Sequence, residues 1–234
     1  MGGGATGGLQ AVLFDVDFTL CKPGPLLGPE GYRAAGRKRG IDLDPALYDA
    51  ARLAALQDLR HHPELDHDEA IWLHFTEDIV RGMGGHGPAV HDVAVEITLG
   101  WERHDNFELY DDTIPILDAV RSAGLKIALV SNTTRDLDEF VDHYALDVDA
   151  VVTSRVHGKV KPHPTIFRAA LSLLGVAAEE AVMVGDSVLD DIEGARRAGI
   201  RPILIDRDAG HRDGPDVLET LWELPALLGI PQAA

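Results

Sequence analysis

Three times in this chain a helical pattern stops on a glycine, and an apolar residue follows at once: Ala123-Gly124-Leu125, Leu174-Gly175-Val176 and Ala198-Gly199-Ile200. A glycine just past a helix accepts the left-handed backbone that closes it, and an apolar residue after it leads into a strand. The helical patterns include Ile116, Ala119, Val120 and Ala123, and then Ile166, Ala169, Ala170, Leu173 and Leu174. Apolar residues three and four apart share one helix face. Around them lie five short apolar runs: Leu9 to Phe14, Lys126 to Val130, Val148 to Val152, Ala181 to Val184 and Pro202 to Ile205. They scarcely alternate with polar residues, as parallel strands covered on both faces should not. Strands and helices taken in turn predict βαβ units and a doubly wound, Rossmann-like parallel sheet of the α/β class.

Residues 21 to 106 break that rhythm. This stretch has no strand run, only helical patterns around Glu30 to Arg39, Pro45 to Arg60, Asp68 to Arg81 and Pro88 to His104. Gly40, Pro63 and the loop from Gly82 to Pro88 separate them. The expected organisation is a core of residues 1–20 and 107–234 with an α-helical insertion of residues 21–106. An insertion at that edge of a sheet can serve as a lid. The start, Met1 to Gly8, reads as a flexible tail.

The segment Val12-Leu13-Phe14-Asp15-Val16-Asp17-Phe18-Thr19-Leu20 carries the chemistry. Two carboxylates leave the end of a buried strand, two residues apart and so on one side of it. The C-terminal edge of a parallel sheet is where open α/β folds bind ligands. Two carboxylates there repel and lose solvation unless a cation or a phosphoryl group is near. Three later segments end on the same edge. Ser131-Asn132-Thr133-Thr134 offers hydroxyls, an amide and backbone N–H groups to an anion, or a plain helix cap. Lys159-Val160-Lys161-Pro162-His163-Pro164 presents two lysines on a proline-set loop. Gly185-Asp186 leaves another strand, with Asp190 and Asp191 about one turn into the next helix. A lysine and several oxygen ligands suit Mg²⁺ with a phosphate.

Composition narrows the partners. The formal net charge is −18, from 39 acidic and 21 basic residues, which argues against nucleic acid and anionic membranes. An anionic substrate would therefore need a local cation or lysine. Cys21 is the sole cysteine, so an intramolecular disulfide is impossible. No run of residues is apolar enough to cross a bilayer, and the start lacks the features of a signal peptide. A cytoplasmic location is expected.

In order, Asp15-Val16-Asp17-Phe18-Thr19, Ser131-Asn132, Lys161-Pro162 and Gly185-Asp186 with Asp190-Asp191 resemble the four motifs of the haloacid dehalogenase-like hydrolase superfamily. The insertion resembles that family's helical cap. The resemblance implies a phosphatase whose nucleophile is Asp15 and whose general acid and base is Asp17. It implies Mg²⁺ held by Asp15, the backbone carbonyl of Asp17, and Asp186. Ser131 and the N–H of Asn132 would bind phosphoryl oxygens, and Lys161 would screen their charge. Asp191 would orient Lys161, Asp190 stands where asparagine is frequent, and Thr19 would steady the loop and Asp17. Phe18 departs from the small or polar residue common at its position.

Asp17 separates the reactions. A halide leaves without a proton, and dehalogenases of this family lack the second aspartate, whereas an alkoxide needs one. The implied substrate is a small phosphorylated metabolite. The alternatives are a phosphomutase and, less well supported, a 2-haloacid dehalogenase or a silent binding module. Candidate substrate contacts in the insertion and the loop before it are Lys22, Tyr32, Arg33, Trp72, His74 and Phe75. Trp72 and Phe75, three apart, fit core packing better. His61, His62 and His67 read as solvated, His163 as a loop residue, and Cys21 as a small buried apolar residue.

Overall fold

A computed structural model of the protein describes residues 8–59, 63–207, 210 and 216–231. In chain order the elements are β1 (Ala11–Phe14), β2 (Cys21–Pro23), α1 (Pro29–Lys38), α2 (Tyr48–Asp58), α3 (Glu69–Gly82), α4 (Ala89–Trp101) and β3 (Phe107–Leu109). There follow α5 (Thr113–Ser122), β4 (Lys126–Ser131), α6 (Leu137–Tyr144), β5 (Ala150–Thr153), α7 (Ser154–His157) and α8 (Pro164–Leu174). The chain closes with β6 (Ala181–Gly185), α9 (Gly194–Ala198), β7 (Arg201–Ile205), β8 (Val217–Leu218) and α10 (Leu224–Leu228). Two compact units emerge: Met1–Lys22 with Leu109–Thr133 and Leu137–Ala234, and Pro23–Glu108 with Thr134–Asp136.

The first unit is built on a parallel sheet of order β5-β4-β1-β6-β7-β8. Strand β1 lies between β4 and β6, with Phe14 opposite both Leu129 and Val184. All of β1 is buried, so its residues cannot alternate and must all be apolar. One core face gathers Leu13, Val130, Met183 and Ala195 against Ile166, Phe167 and Ala170 of α8. From β1 the chain moves to β4 and β5 on one side, then returns through β6 to β7 on the other. The strand order reverses at β1 and β6, the place where open α/β sheets form a ligand crevice.

The three glycines behave as read. Gly124, Gly175 and Gly199 all adopt the left-handed conformation, with φ of +79°, +65° and +82°. Strands β4 and β6 each run one residue beyond the apolar run, because Ser131 still pairs with Thr153 and Gly185 with Leu204. Strand β5 begins two residues later than expected. Asp149 is spent on Arg121 and on the N–H of Ile127. Strands β2, β3 and β8 escape a reading by pattern, since two or three residues carry no period. The first of them lies at the start of the stretch read as free of strands. The helix after β6 opens as a π-helix, Val188–Glu193, before α9.

The second unit is helical and has its own core, in which Tyr32, Leu43, Tyr48, Ile79, Val80, Val93 and Ile97 meet. Asp44 and Asp68 cap the turns at Ala46 and Ala70, as short polar side chains before a helix do. Tyr32 packs edge-on to Tyr48 at 5.3 Å, and Trp72 meets Phe75 at 6.1 Å. Met1 to Gly7, Arg60, His61 and His62 lie outside the described residues, so the flexible-tail reading and two of the histidines find no counterpart here.

A side chain at Gly175 would meet no neighbour but would force an L-residue to φ +65°. Gly175→Ala should therefore cost about 1–2 kcal/mol in urea unfolding, with catalytic constants unchanged. A neutral or stabilising substitution would show that this helix end can relax.

Candidate active site

The C-terminal ends of β1, β4 and β6 lie side by side, and the segments after them, with the loop between α7 and α8, carry the chemistry. Lys161 is 2% exposed, and its Nζ donates to Asp15 Oδ1 at 2.5 Å and to Asp191 Oδ1 at 2.6 Å. Asp15 and Asp191 are themselves 6% and 0% exposed. Burial of an unpaired ammonium would cost several kcal/mol, so the two carboxylates are what allow Lys161 to stay charged there. Burial alone would lower its pKa; the opposing charges of Asp15 and Asp191 outweigh that and hold it above its usual value.

The loop that carries Lys161 is held from β4. The Asn132 amide spans its backbone, with Nδ2 donating to the Lys161 carbonyl at 3.0 Å and Oδ1 accepting from the Lys161 N–H at 2.6 Å. The Asn132 amide is thus spent on the Lys161 backbone and not on a helix end. Helix α6 starts only at Leu137, and the Thr133 N–H is given to Ser154 Oγ. Ser131, at the last position of β4, is buried. Asp191 is fixed by the Ser187 N–H at 3.0 Å. A Cβ on Gly185 would overlap the Asp191 carboxylate, so this position must be glycine for Asp191 to reach Lys161. Asp190 gives its N–H to Ser187 Oγ.

One oxygen from each of Asp15, Asp186 and Asp191 lies within 4.8 Å of the others. Burial raises Asp15 well above the carboxylate range; Lys161 opposes the rise, while Asp191 and Asp186 add to it. Asp191 is likewise raised by burial against the pull of Lys161. Asp186 is exposed to solvent on one side, yet crowding by protein, and then Asp191, push it up to about 7. One ammonium does not satisfy three converging carboxylates, and the donors are all oxygen. That is the donor set Mg²⁺ takes, so the residues present fit the ion, and Asp15 and Asp186 are carboxylates that could hold it. Asp191 joins the side-chain cluster, and its contact with Lys161 is the one expected of the residue that orients the lysine.

Asp17 sits half-buried just beyond, in a tight turn. The Leu20 and Cys21 N–H groups both donate to the Val16 carbonyl, and the Phe18 N–H to the Cys21 carbonyl. Within that turn Phe18 has φ +64°, a strain of about 1–2 kcal/mol for a residue with a side chain. The Thr19 hydroxyl is buried with no hydrogen-bond partner, so it does not hold Asp17. The Cys21 thiol, fully buried, lies 3.6 Å from Asp17 Oδ1 and 3.6 Å from the Val16 carbonyl.

Other candidates are placed differently. Tyr32 is buried in the helical core, Arg33 lies near Glu30 and Asp42, and Phe75 packs on that core. Lys22 and His74 are exposed. The His67 side chain is only 10% exposed, beside Glu69, and so is not solvated as read. His163 caps α8 by accepting from the Thr165 N–H.

The sequence profile of the haloacid dehalogenase-like hydrolases matches residues 9–199. The chain is 33% identical over 231 residues to haloacid dehalogenase-like hydrolase domain-containing protein 3 of Danio rerio, covering 93% of this chain and 95% of that one. It is 32% identical to a glyceraldehyde 3-phosphate phosphatase of Methanopyrus kandleri, over 89% of this chain and 91% of the other. Among solved structures, a phosphatase of the same superfamily from Thermococcus onnurineus superposes with a TM-score of 0.64 at 28% identity, over 97% of this chain and all of that one.

Two outcomes follow from the geometry. Gly185→Ala should displace Asp191 from Lys161 and lower kcat at least tenfold while the protein still melts cooperatively; unchanged kcat would show that Asp191 has room to move. The raised Asp186 makes the fold bind more protons than the unfolded chain between the ordinary value of 3.8 and about 7. Its contribution to the stability of the metal-free protein therefore falls as pH rises through that window. Melting scans should show a smaller loss from pH 5 to pH 8 in Asp186→Asn, or in the parent with Mg²⁺ added, than in the metal-free parent. Parallel slopes would contradict the assignment.

Proposed function

The chain belongs to the haloacid dehalogenase-like hydrolase family, and from that premise we propose that it is a Mg²⁺-dependent phosphatase of small phosphate monoesters. The observation that carries the proposal is the buried Asp15–Lys161–Asp191 chain at the sheet edge, with a second carboxylate, Asp17, two residues after Asp15. Lys161 engages one oxygen of Asp15, which leaves the other to attack phosphorus. An aspartyl-phosphate forms as the bond from phosphorus to the substrate oxygen breaks, and Asp17 gives its proton to that departing oxygen. Water then attacks the same phosphorus. Asp17 takes the water proton back, the bond to Asp15 breaks, and inorganic phosphate leaves. Lys161 balances charge on Asp15 and on the transferred group, and Ser131 and the Asn132 N–H are assigned to phosphoryl oxygens. Mg²⁺ on Asp15, the Asp17 carbonyl and Asp186 would supply further neutralisation of phosphoryl charge.

The α/β unit is assigned the chemistry and the helical unit the choice of substrate. A small phosphorylated metabolite is in keeping with the relative that bears the name glyceraldehyde 3-phosphate phosphatase. Among the described residues no helix is long and apolar enough to cross a membrane.

The test is phosphate release from a panel of alkyl phosphates and an aryl phosphate. EDTA should abolish release and Mg²⁺ restore it, while Asp15→Asn should lose at least a thousandfold in kcat with its melting curve retained. Substantial Mg²⁺-dependent turnover by that variant would overturn the nucleophile. Asp17→Asn should lower kcat/KM far more for alkyl than for aryl esters, because an aryl oxide leaves without a proton; equal losses would remove Asp17 from its role.

A further inference from the structure

The turn that aims Asp17 contains a strained Phe18, and the residue that should steady it, Thr19, leaves its hydroxyl unpartnered. The bonds within the turn are joined by others from outside it. The holding groups come from two elements far away in the chain, the start of α5 and the end of β7. Arg207, just past β7, forms a two-pronged ion pair with Asp112, with Nη1 to Oδ2 and Nη2 to Oδ1 both at 3.0 Å. The same Nη2 donates to the Thr19 carbonyl at 2.7 Å. The guanidinium carbon lies over the Tyr110 ring, 3.6 Å from its centre. Asp112 is 3% exposed and also accepts from the Leu221 N–H at 2.8 Å. The next carbonyl in the turn, that of Leu20, accepts from the Tyr110 N–H at 3.0 Å and from the Thr113 hydroxyl at 2.6 Å.

Two consecutive carbonyls that follow Asp17 are thus gripped by three donors from outside the turn, and the strongest of these is itself orientated by a bidentate carboxylate and an aromatic face. A planar guanidinium can serve a carboxylate and a carbonyl at once in fixed directions, which an ammonium cannot. A strained residue persists only where its surroundings over-determine it, and here the over-determining groups are named. None of Arg207, Asp112, Tyr110 or Thr113 belongs to the cluster of Asp15, Asp186, Asp191 and Lys161.

We infer that Arg207 and Asp112, with Thr113, are positioning residues that lock the turn carrying Asp17 and so set where its carboxyl meets the leaving oxygen. The inference rests on the proposed role of Asp17 as proton donor. It predicts a particular kinetic signature. Loosening the clamp should leave nucleophile, lysine and metal ligands in place, and should blur only the position of the proton donor.

The experiment measures kcat/KM for an alkyl phosphate and for p-nitrophenyl phosphate, with melting curves, in the parent, Arg207→Met, Arg207→Lys, Asp112→Asn and Thr113→Val. The expected result is a loss of at least tenfold on the alkyl ester with less than threefold on the aryl ester for Arg207→Met and Asp112→Asn. Arg207→Lys and Thr113→Val should show the same skew in smaller measure. If the first two variants do not fold, the lysine and valine variants decide, since the lysine keeps the positive charge and the valine nearly keeps the volume of the side chain it replaces. Equal losses on both esters in folded protein would show that the clamp merely stabilises the fold, and no loss on either would show that the turn holds itself; each overturns the inference. A parent that releases phosphate from neither ester would remove the phosphatase reading, and the inference with it. A skew found in Asp17→Asn but absent from every clamp variant would refute the clamp alone.

Discussion

A single buried ammonium holds the chemistry of this protein together. Lys161 lies between Asp15 and Asp191, all three almost without solvent, and none of the three could be ionised there without the others. The whole-chain charge of −18 would repel an anionic substrate. Lys161 is the local exception, built into the sheet edge rather than carried on a flexible surface. The arrangement remains rich in carboxylate even so. Asp15, Asp186 and Asp191 are all pushed upward by burial and by one another, which is the condition that a divalent cation relieves.

Much of the surrounding structure keeps that ammonium and its partners in register. Asn132 fastens the backbone of Lys161 to the end of β4. Gly185 yields its side-chain volume to Asp191, and the Ser187 N–H holds the far oxygen of that carboxylate. Gly194 does a similar service beneath, where a Cβ would meet the Phe167 ring and Pro162 beside Lys161. On the opposite side, the turn after β1 is bolted through its carbonyls to α5 and to the end of β7.

The parts legible in the sequence are those where one local property has one structural meaning. Glycines at the ends of α5, α8 and α9 announced left-handed closures, and uninterrupted apolar runs announced strands covered on both faces. Short strands such as β2, β3 and β8 were not legible, since two or three residues give a period no room to show itself. His67 was misread because exposure depends on what packs over a side chain, and Tyr32 proved to be part of a core for the same reason. Asn132 was legible as a polar residue after a strand; its use as a fastener for Lys161 was not.

By itself the chain order of Asp15-x-Asp17, Ser131-Asn132, Lys161-Pro162 and Gly185-Asp186 determined the family, the sheet class and the sheet edge that carries the site, because three of the motifs sit at the end of an apolar strand, the lysine motif comes a few residues after a fourth strand, and each needs only local geometry to be placed. Tertiary structure alone decided how deeply Lys161 and its two carboxylates are buried, that Asn132 fastens the backbone of Lys161, and that Arg207 and Asp112, 95 residues apart, close on the turn behind Asp17. These are contacts between elements remote in sequence. Charge pairing and burial at such contacts are set by how β1, β6, β7 and α5 come together in space, and no local pattern of residues encodes that distance.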